Sequence, residues 1–331
     1  MSLEAIPRLP LGFLPTPVEP LDKLGSALGI NLSVKRDDFT GFGGGGNKVR
    51  KLEFLMADAV SLGTKVLITT GGHQSNHARM VAAAASRFDM KAVLVLRGNT
   101  PSNYQGNLLL DRLFGATIEF LDPDAYFAEI GPRMQGHADA ALARGETPYI
   151  MPVGGATPLG ALGYVQAVKE MAEQYQRAGR RAPDVIATAV GSGGTLAGLV
   201  IGTHIYWPQT RVVGIAVSGS AVPFTERCAV MATAGGELID VGRKWSADDI
   251  WIETDYVGSA YGVPSPQGNA AIGELASTEA LLLDPVYTGK GMAGLMDIVR
   301  KGKIAPGSDV LFLHTGGSPA LYPFANILTE G

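Results

Sequence analysis

Short runs rich in Val, Ile and Leu alternate along the chain with segments whose apolar residues recur every three or four positions. The runs predict strands at Leu32–Lys35, Val66–Thr70, Ala92–Leu96, Thr117–Leu121, Val185–Val190, Val212–Val217 and Val310–Leu313. The helical spacing predicts helices at Lys48–Leu62, Ser75–Phe88, Tyr104–Phe114, Ala125–Arg144, Pro158–Ala178, Thr195–Tyr206, Gln267–Leu282 and Lys290–Lys301. Strands nearly free of charge, separated by helices, argue for an α/β protein with mainly parallel open sheets covered on both faces. Glycine interrupts the pattern near Lys48 and at Gly154-Gly155. These joints predict two domains, a larger one from residues 1–50 plus 160–331 and a smaller inserted one from 51–159. A cleft between them is a common place for a small-molecule site.

The joint at Lys48 is the most informative. In GFGGGGNKVRKLEF, Gly41 to Phe54, a glycine run precedes a lysine at the start of a helix whose apolar positions are Val49, Leu52, Leu55, Met56 and Ala59. Glycines there admit backbone angles closed to other residues and let a flat ligand approach. A lysine held at such a point is partly desolvated, which lowers its pKa and makes its amine a nucleophile toward an aldehyde. The competing reading is a flexible loop with a solvated lysine.

With 331 residues, 46% hydrophobic and 18% charged, the chain reads as an ordinary two-domain globular protein. A net charge of -4 without a basic block leaves no footprint for nucleic acid. The densest basic group, Lys48, Arg50 and Lys51, reads as anion binding. The single cysteine, Cys228, excludes an intrachain disulfide and a cysteine metal cluster, and fits a reducing compartment. No neighbouring base marks it as a nucleophile. The start of the chain, with Glu4, Pro7 and Pro10, does not resemble a secretory signal. Residues 185–210 lack Asp, Glu, Lys and Arg, but glycines at 191, 193 and 194 and Pro208 break the run. A buried strand, turn and helix accounts for it better than a membrane span.

Five further segments offer chemistry. In TTGGHQSNHAR, Thr69 to Arg79, Ser75 or Asn76 can cap the following helix. The hydrogen-bonding capacity of Gln74, Ser75, Asn76 and His77 exceeds one cap and suits a carboxylate. His73 and His77 are four apart, but the turn residues around them do not suit a metal pair. In AVGSGGTLAG, Ala189 to Gly198, a glycine turn opens a helix and offers N–H groups and the Ser192 and Thr195 hydroxyls to a lone phosphate. Leu196 stands where a dinucleotide fingerprint has its third glycine, and no ribose-binding acid occurs between Val185 and Thr225. Near the C-terminus, LLLDPVYTGKGMAG and LFLHTGGSPAL place Tyr287, Thr288 and Thr315 in or beside turns, and SAYGVP offers Tyr261. Each of these alone reads as turn chemistry.

A desolvated lysine, a single-phosphate turn and hydroxyl donors at strand ends suggest pyridoxal 5'-phosphate. GGNKVRKLEF, GGHQSNHAR, GSGGTLAG, DPVYTGK and HTGG, in that order from about Pro7 to Pro319, resemble the D-cysteine desulfhydrase and 1-aminocyclopropane-1-carboxylate (ACC) deaminase family. That family belongs to the tryptophan-synthase-β-like, fold-type-II pyridoxal phosphate enzymes. The resemblance implies two three-layer αβα domains with the cofactor in the cleft between them, in a cytoplasmic homodimer. It implies that Lys48 is the Schiff-base lysine and that Asn76 bonds the cofactor's phenolic oxygen. Gly191, Ser192, Gly193, Gly194 and Thr195 would cradle the phosphate, with Thr288 and Thr315 near the pyridine ring. Gln74, Ser75, Asn76 and His77 would hold the substrate carboxylate, and Tyr261 and Tyr287 would flank the reacting carbons.

Two positions speak to the activity within the family. ACC deaminases resemble DPVYEG and HLGG, whereas this chain has Thr288 and Thr315. A carboxylate beside the ring nitrogen favours its protonation and deepens the electron sink, while threonine offers a neutral hydrogen bond. The threonines therefore suit loss of a good β-leaving group over opening of a cyclopropane. The expectation is an α,β-eliminating, deaminating carbon–sulfur lyase. D-cysteine leads as substrate, L-cysteate is the close alternative with donors from His73 or His77, and ACC follows. Lys48 or a hydroxyl opposite it would take the α-proton, with Tyr287 or Tyr261 assisting the leaving group. A pyridoxal phosphate carrier or amino-acid sensor is the non-catalytic alternative.

Overall fold

The structure, a computed structural model, describes residues 1–219 and 224–329. Its larger sheet has six strands in the order β1-β2-β10-β7-β8-β9. These are β1 (Val18–Pro20), β2 (Asn31–Arg36), β7 (Val185–Val190), β8 (Arg211–Ala216), β9 (Trp251–Glu253) and β10 (Asp309–His314). β1 runs antiparallel to β2, and every other pairing is parallel. The smaller sheet is wholly parallel, in the order β5-β4-β3-β6. It comprises β3 (Val66–Gly72), β4 (Lys91–Arg97), β5 (Thr117–Leu121) and β6 (Pro148–Ile150).

Helices cover both faces of each sheet, as continuous apolar strands require. Against the smaller sheet lie α2 (Lys48–Ser61), α3 (Asn76–Arg87) and α4 (Asn107–Leu113) on one side and α5 (Tyr126–Ala143) on the other. One face of the larger sheet is packed by α6 (Pro158–Arg177), α7 (Gly194–Tyr206) and α8 (Phe224–Leu238). The other carries α1 (Asp22–Leu28), α9 (Pro266–Glu279) and α10 (Thr288–Arg300), and α11 (Ala325–Thr329) follows β10. In β7, Ile186 and Val190 enter the first of these cores while Val185 and Ala187 enter the second, the period-two pattern of a central strand.

Every strand and helix expected from the periodicity is present, with ends moved by a few residues. The additions are β1, β6 and β9, each three residues long, and α1, α8 and the five-residue α11. Three residues are too few to establish a period, and α1 carries Gly25 inside it.

Two close approaches fix α2, the helix that begins with Lys48. A Cβ at Gly163 would stand 2.3 Å from the Arg50 carbonyl oxygen, and one at Gly198 would stand 2.1 Å from that of Ala161. The first lets α6 seat against α2 and the second lets α7 seat against α6. An ion network adds to this. Arg50 forks onto Asp37 and Glu170, Tyr164 donates to Asp37 at 2.5 Å, and Lys35 donates to Glu170. Arg50, expected from its sequence position to bind an anionic ligand, is committed to these buried carboxylates instead.

Candidate active site

Parallel strands place ligand sites at their carboxyl ends, where the chain turns toward the next helix. Here the ends of β3, β7 and β10 face one another across a cleft of about 720 Å3. Lys48, Ser75, Asn76, His77, Gly191, Ser192, Gly193, Thr195, Tyr261, Tyr287 and Thr315 all line it, although the first and last are 267 residues apart (315 − 48).

Lys48 begins α2, and its Nζ donates to Asn47 Oδ1 at 2.9 Å. Burial lowers its pKa to about 8, helped by the charge of Arg79 and opposed by Asp284. Roughly a quarter of the amine is therefore neutral at pH 7.5, the form that attacks an aldehyde.

Opposite lies the glycine turn. Gly193 has φ 90°, α7 starts at Gly194, and the free N–H groups of its first turn face the cleft wall. Asn47 Nδ2 donates to Thr195 Oγ1 at 3.0 Å, which ties the lysine segment to the turn. Cys228 is buried behind Gly193, and burial pushes its thiol up to about 11, so it stays a protonated packing residue.

On the β3 side, Ser75 caps α3 by accepting from the Ala78 N–H at 3.2 Å, and its own O–H remains available as a donor. Glycines make room for this corner. A Cβ on Gly71 would lie 2.4 Å from Ser75 Oγ, and one on Gly72 would lie 3.0 Å from the Tyr261 ring. The Tyr261 and Tyr287 hydroxyls are 2.5 Å apart, with ring centroids 6.0 Å apart. Burial raises both phenols, Tyr261 to about 12 and Tyr287 well above its usual range, so each is a proton donor rather than a base.

Four expected residues lie elsewhere. Gln74 turns away from the cleft, accepting from the Asn107 N–H and donating to the Gln105 carbonyl. Thr288, expected beside a pyridine ring, is buried as the first residue of α10. Its hydroxyl donates to Asp284 Oδ1 and accepts from the Asp284 N–H, both at 2.7 Å. Gly194 sits behind the turn against Lys51 and Ala156. His73, expected as a donor to a sulfonate, packs edge-on to Phe120 outside the cleft. His77 does line the cleft, but its Nε2 is 3.0 Å from Thr69 Oγ1, and burial holds its pKa well below normal. It is a neutral ring.

Lys51, expected with Lys48 and Arg50 as an anion binder, and two residues outside the expected set also shape the site. The Lys51 amine is buried behind the glycine turn, 3.1 Å from the Gly154 carbonyl and 2.8 Å from where a Gly194 Cβ would stand, and burial holds its pKa well below the usual lysine range. Its position one helical turn after Lys48 was the available signal. Asp284 accepts from the N–H groups of Val286, Tyr287 and Thr288 and so sets the Tyr287 backbone. Asn47 sits between the glycines and the lysine, where a polar residue reads as a plain helix start.

The residues fit pyridoxal phosphate. A low-pKa lysine, a glycine turn at a helix N-terminus and the polar side chains of Ser75 and Asn76 share one cleft, with the Lys51 amine buried behind the turn. A family model described as pyridoxal-phosphate dependent enzyme matches residues 9–316. The chain belongs to that family. It is 40% identical to a D-cysteine desulfhydrase of Klebsiella pneumoniae, over 98% of each chain. Identity is also 40% to a putative ACC deaminase of Pyrococcus abyssi, over 99% of this chain and 97% of the relative. A crystal structure of an ACC deaminase homologue superposes with TM-score 0.89 at 37% identity, covering 99% of this chain and 97% of the other. A fungal L-serine ammonia-lyase from Rhizomucor miehei shares the fold at TM-score 0.68 and 18% identity, over 97% of this chain and 98% of the other. The enzyme is thus a pyridoxal-phosphate-dependent lyase of the α/β, mainly parallel, fold-type-II architecture.

Proposed function

We propose that this enzyme is a D-cysteine desulfhydrase, converting D-cysteine and water to pyruvate, hydrogen sulfide and ammonia. The observation that carries the reading is the pair of protonated phenols, Tyr261 and Tyr287, in the cleft that holds Lys48. The near-full-length likeness to enzymes named D-cysteine desulfhydrase supports it.

Lys48 would hold pyridoxal phosphate covalently, Asn76 would meet its phenolic oxygen, and Gly191, Ser192, Gly193 and Thr195, with Lys51 behind them, would receive its phosphate. Bound there, the cofactor supplies an electron sink for the charge left when the α-proton departs. Ser75 and the N–H groups at the start of α3 hold the substrate carboxylate. The Lys48 amine, once the substrate amine has displaced it from the cofactor, would take the α-proton, and Tyr287, backed by Tyr261, would give a proton to the sulfur as the Cβ–S bond breaks and the Cα–Cβ double bond forms. Hydrolysis of the released enamine completes the balance. Thr315 lines the ring side of the cleft as a neutral neighbour.

The second reading, L-cysteate with loss of sulfite, is favoured by one feature. Arg97 also lines the cleft, and its only hydrogen bond among the described residues is from Nε to the Pro123 carbonyl at 3.3 Å. Pyruvate release from D-cysteine, L-cysteine, L-cysteate, β-chloro-D-alanine and ACC tests both readings. D-cysteine as the best substrate is expected, and ACC or L-cysteate ahead of it would overturn the assignment.

We further read residues 1–50 plus 160–331 as the cofactor-binding domain and 51–159 as the inserted one. The family resemblance supports a cytoplasmic homodimer, and no helix among the described residues is long and apolar enough to cross a membrane.

A further inference from the structure

Arg79 is completely buried, yet the chemistry above gives it no task. From α3 its guanidinium enters the glycine loop that precedes Lys48. Nη1 donates to the Gly43 carbonyl and Nη2 to the Gly45 carbonyl at 2.9 Å, while Nε donates to Asn107 Oδ1 at 2.7 Å. The loop is shaped around this group. Gly43, Gly44, Gly45 and Gly46 all have positive φ, and a Cβ on Gly44 would stand 3.1 Å from Nη1. Four glycines in a row suit this loop, because L side chains would be strained at all four, one at Gly44 would crowd the arginine, and one at Gly45 would stand 2.1 Å from the Asp38 carbonyl oxygen.

Asn107 passes the constraint to the cleft. Its Nδ2 donates to Asn76 Oδ1 and to the Gln74 carbonyl, both at 2.9 Å, and Arg79 Nη2 lies 3.5 Å from the same Asn76 oxygen. With its oxygen occupied, Asn76 has its NH2 group left for the cleft. Asp111, one turn after Asn107 on α4, is a buried acid that stabilises the charge of Arg79, and its Oδ1 has no hydrogen-bond partner among the described residues.

We propose that Arg79, with Asn107 as relay, is a positioning residue that holds the glycine loop so that Lys48 enters the cleft and locks Asn76 with its N–H group toward the cofactor. The inference rests on Lys48 and Asn76 having the roles proposed above. The charge of Arg79 also contributes to the lowered pKa of Lys48.

The test uses Arg79→Lys and Asn107→Asp. The first keeps the charge without the fork, and the second keeps the shape without the Nδ2 donor. Pyridoxal phosphate affinity of the apoenzyme, the pH midpoint of the visible cofactor band and apoenzyme melting are measured. Cofactor affinity is expected to fall at least about tenfold in both variants, the loss of one or more charge-assisted or buried hydrogen bonds. The band midpoint is expected to move in Asn107→Asp. Lower melting temperature with unchanged affinity and midpoint would make the cluster a scaffold only and overturn the proposal. If Arg79→Lys does not fold, Asn107→Asp decides. Borohydride reduction of the wild type, read at the Lys48 peptide, separates failure of this inference from failure of the cofactor assignment.

Discussion

The hydroxyl oxygens of Tyr261 and Tyr287 stand 2.5 Å apart, although Tyr261 lies between β9 and α9 and Tyr287 immediately before α10. Only one proton can lie between them, so the second O–H points elsewhere, and the cleft is the polar space available. Tyr287 also faces Gly191 of the glycine turn, its ring 3.5 Å from where a Cβ there would stand. A phenol that remains protonated is suited to give its proton to a thiolate as it leaves. Replacing Tyr287 by Phe is expected to lower kcat on D-cysteine by about a hundredfold or more, in the range of a lost general acid. On β-chloro-D-alanine the loss should be much smaller, because chloride leaves without a proton. Equal losses on both substrates would remove Tyr287 from this role.

Lys48 gives a pH-dependent prediction. Its pKa is about 8 against about 10.5 for a free lysine, so at pH 7.5 the neutral amine is on the order of a hundredfold more abundant than on a surface lysine. The rate at which apoenzyme captures pyridoxal phosphate should therefore rise with pH and level off above about 8, followed by visible absorbance. Lys48→Ala should abolish turnover, by roughly a thousandfold or more, since both the attachment point and the base are removed. Retained turnover would exclude the lysine, as would a borohydride tag on another peptide.

How much of this was legible beforehand depended on the range of the signal. The cleft's corners were written locally: glycine before Lys48, glycine before α7 and a capping serine before α3 each need only neighbours in sequence. Thr288 was misplaced because its fate depends on Asp284, which draws the hydroxyl into the start of α10. His73 was misplaced because its ring turns to Phe120, a contact no periodicity reveals. Lys51 was grouped with Arg50 as anion-binding, yet the helix turns one toward the glycine turn and the other toward Asp37. Adjacent residues on a helix face different partners, and only the packing of α6 determines which partners are there.

The network around Arg50 predicts an acid-sensitive fold. Asp37 and Glu170 are pushed up by burial, but Arg50 and then Lys35 outweigh this and hold both carboxyls below their usual range. Folded-state pKa values below the unfolded ones stabilise the protein at pH above the unfolded values, and that stability is lost as pH falls below about 4. Arg50→Ala leaves buried carboxylates without their partner and should cost about 3–5 kcal/mol in denaturant unfolding. Arg50→Lys should recover only part, because one ammonium cannot fork onto two carboxylates. In both variants the carboxyls lose all or part of what holds their pKa down, so the stability gap to the wild type should be widest near neutral pH and narrow as pH falls through about 4. A wild-type-like acid transition in Arg50→Ala would mean the network contributes nothing to folding.

Arg97 divides the two candidate leaving groups. Its guanidinium carbon lies 5.3 Å from the Phe127 ring centroid and 6.0 Å from that of Tyr126, at the cleft's edge. Tyr126 is itself anchored to Thr70 Oγ1 at 2.7 Å, so the arginine rests on a fixed aromatic surface. A sulfonate carries three acceptor oxygens and a full charge, and it would gain from the arginine's remaining N–H groups. A thiol offers one poor acceptor and would gain almost nothing. Arg97→Leu should therefore leave kcat/KM for D-cysteine within about twofold, while lowering that for L-cysteate by roughly ten- to a hundredfold, the worth of one hydrogen bond to a charged group. An equal fall on both substrates would instead assign Arg97 to the carboxylate they share, and with it the division of labour between the two ends of the cleft would have to be reversed.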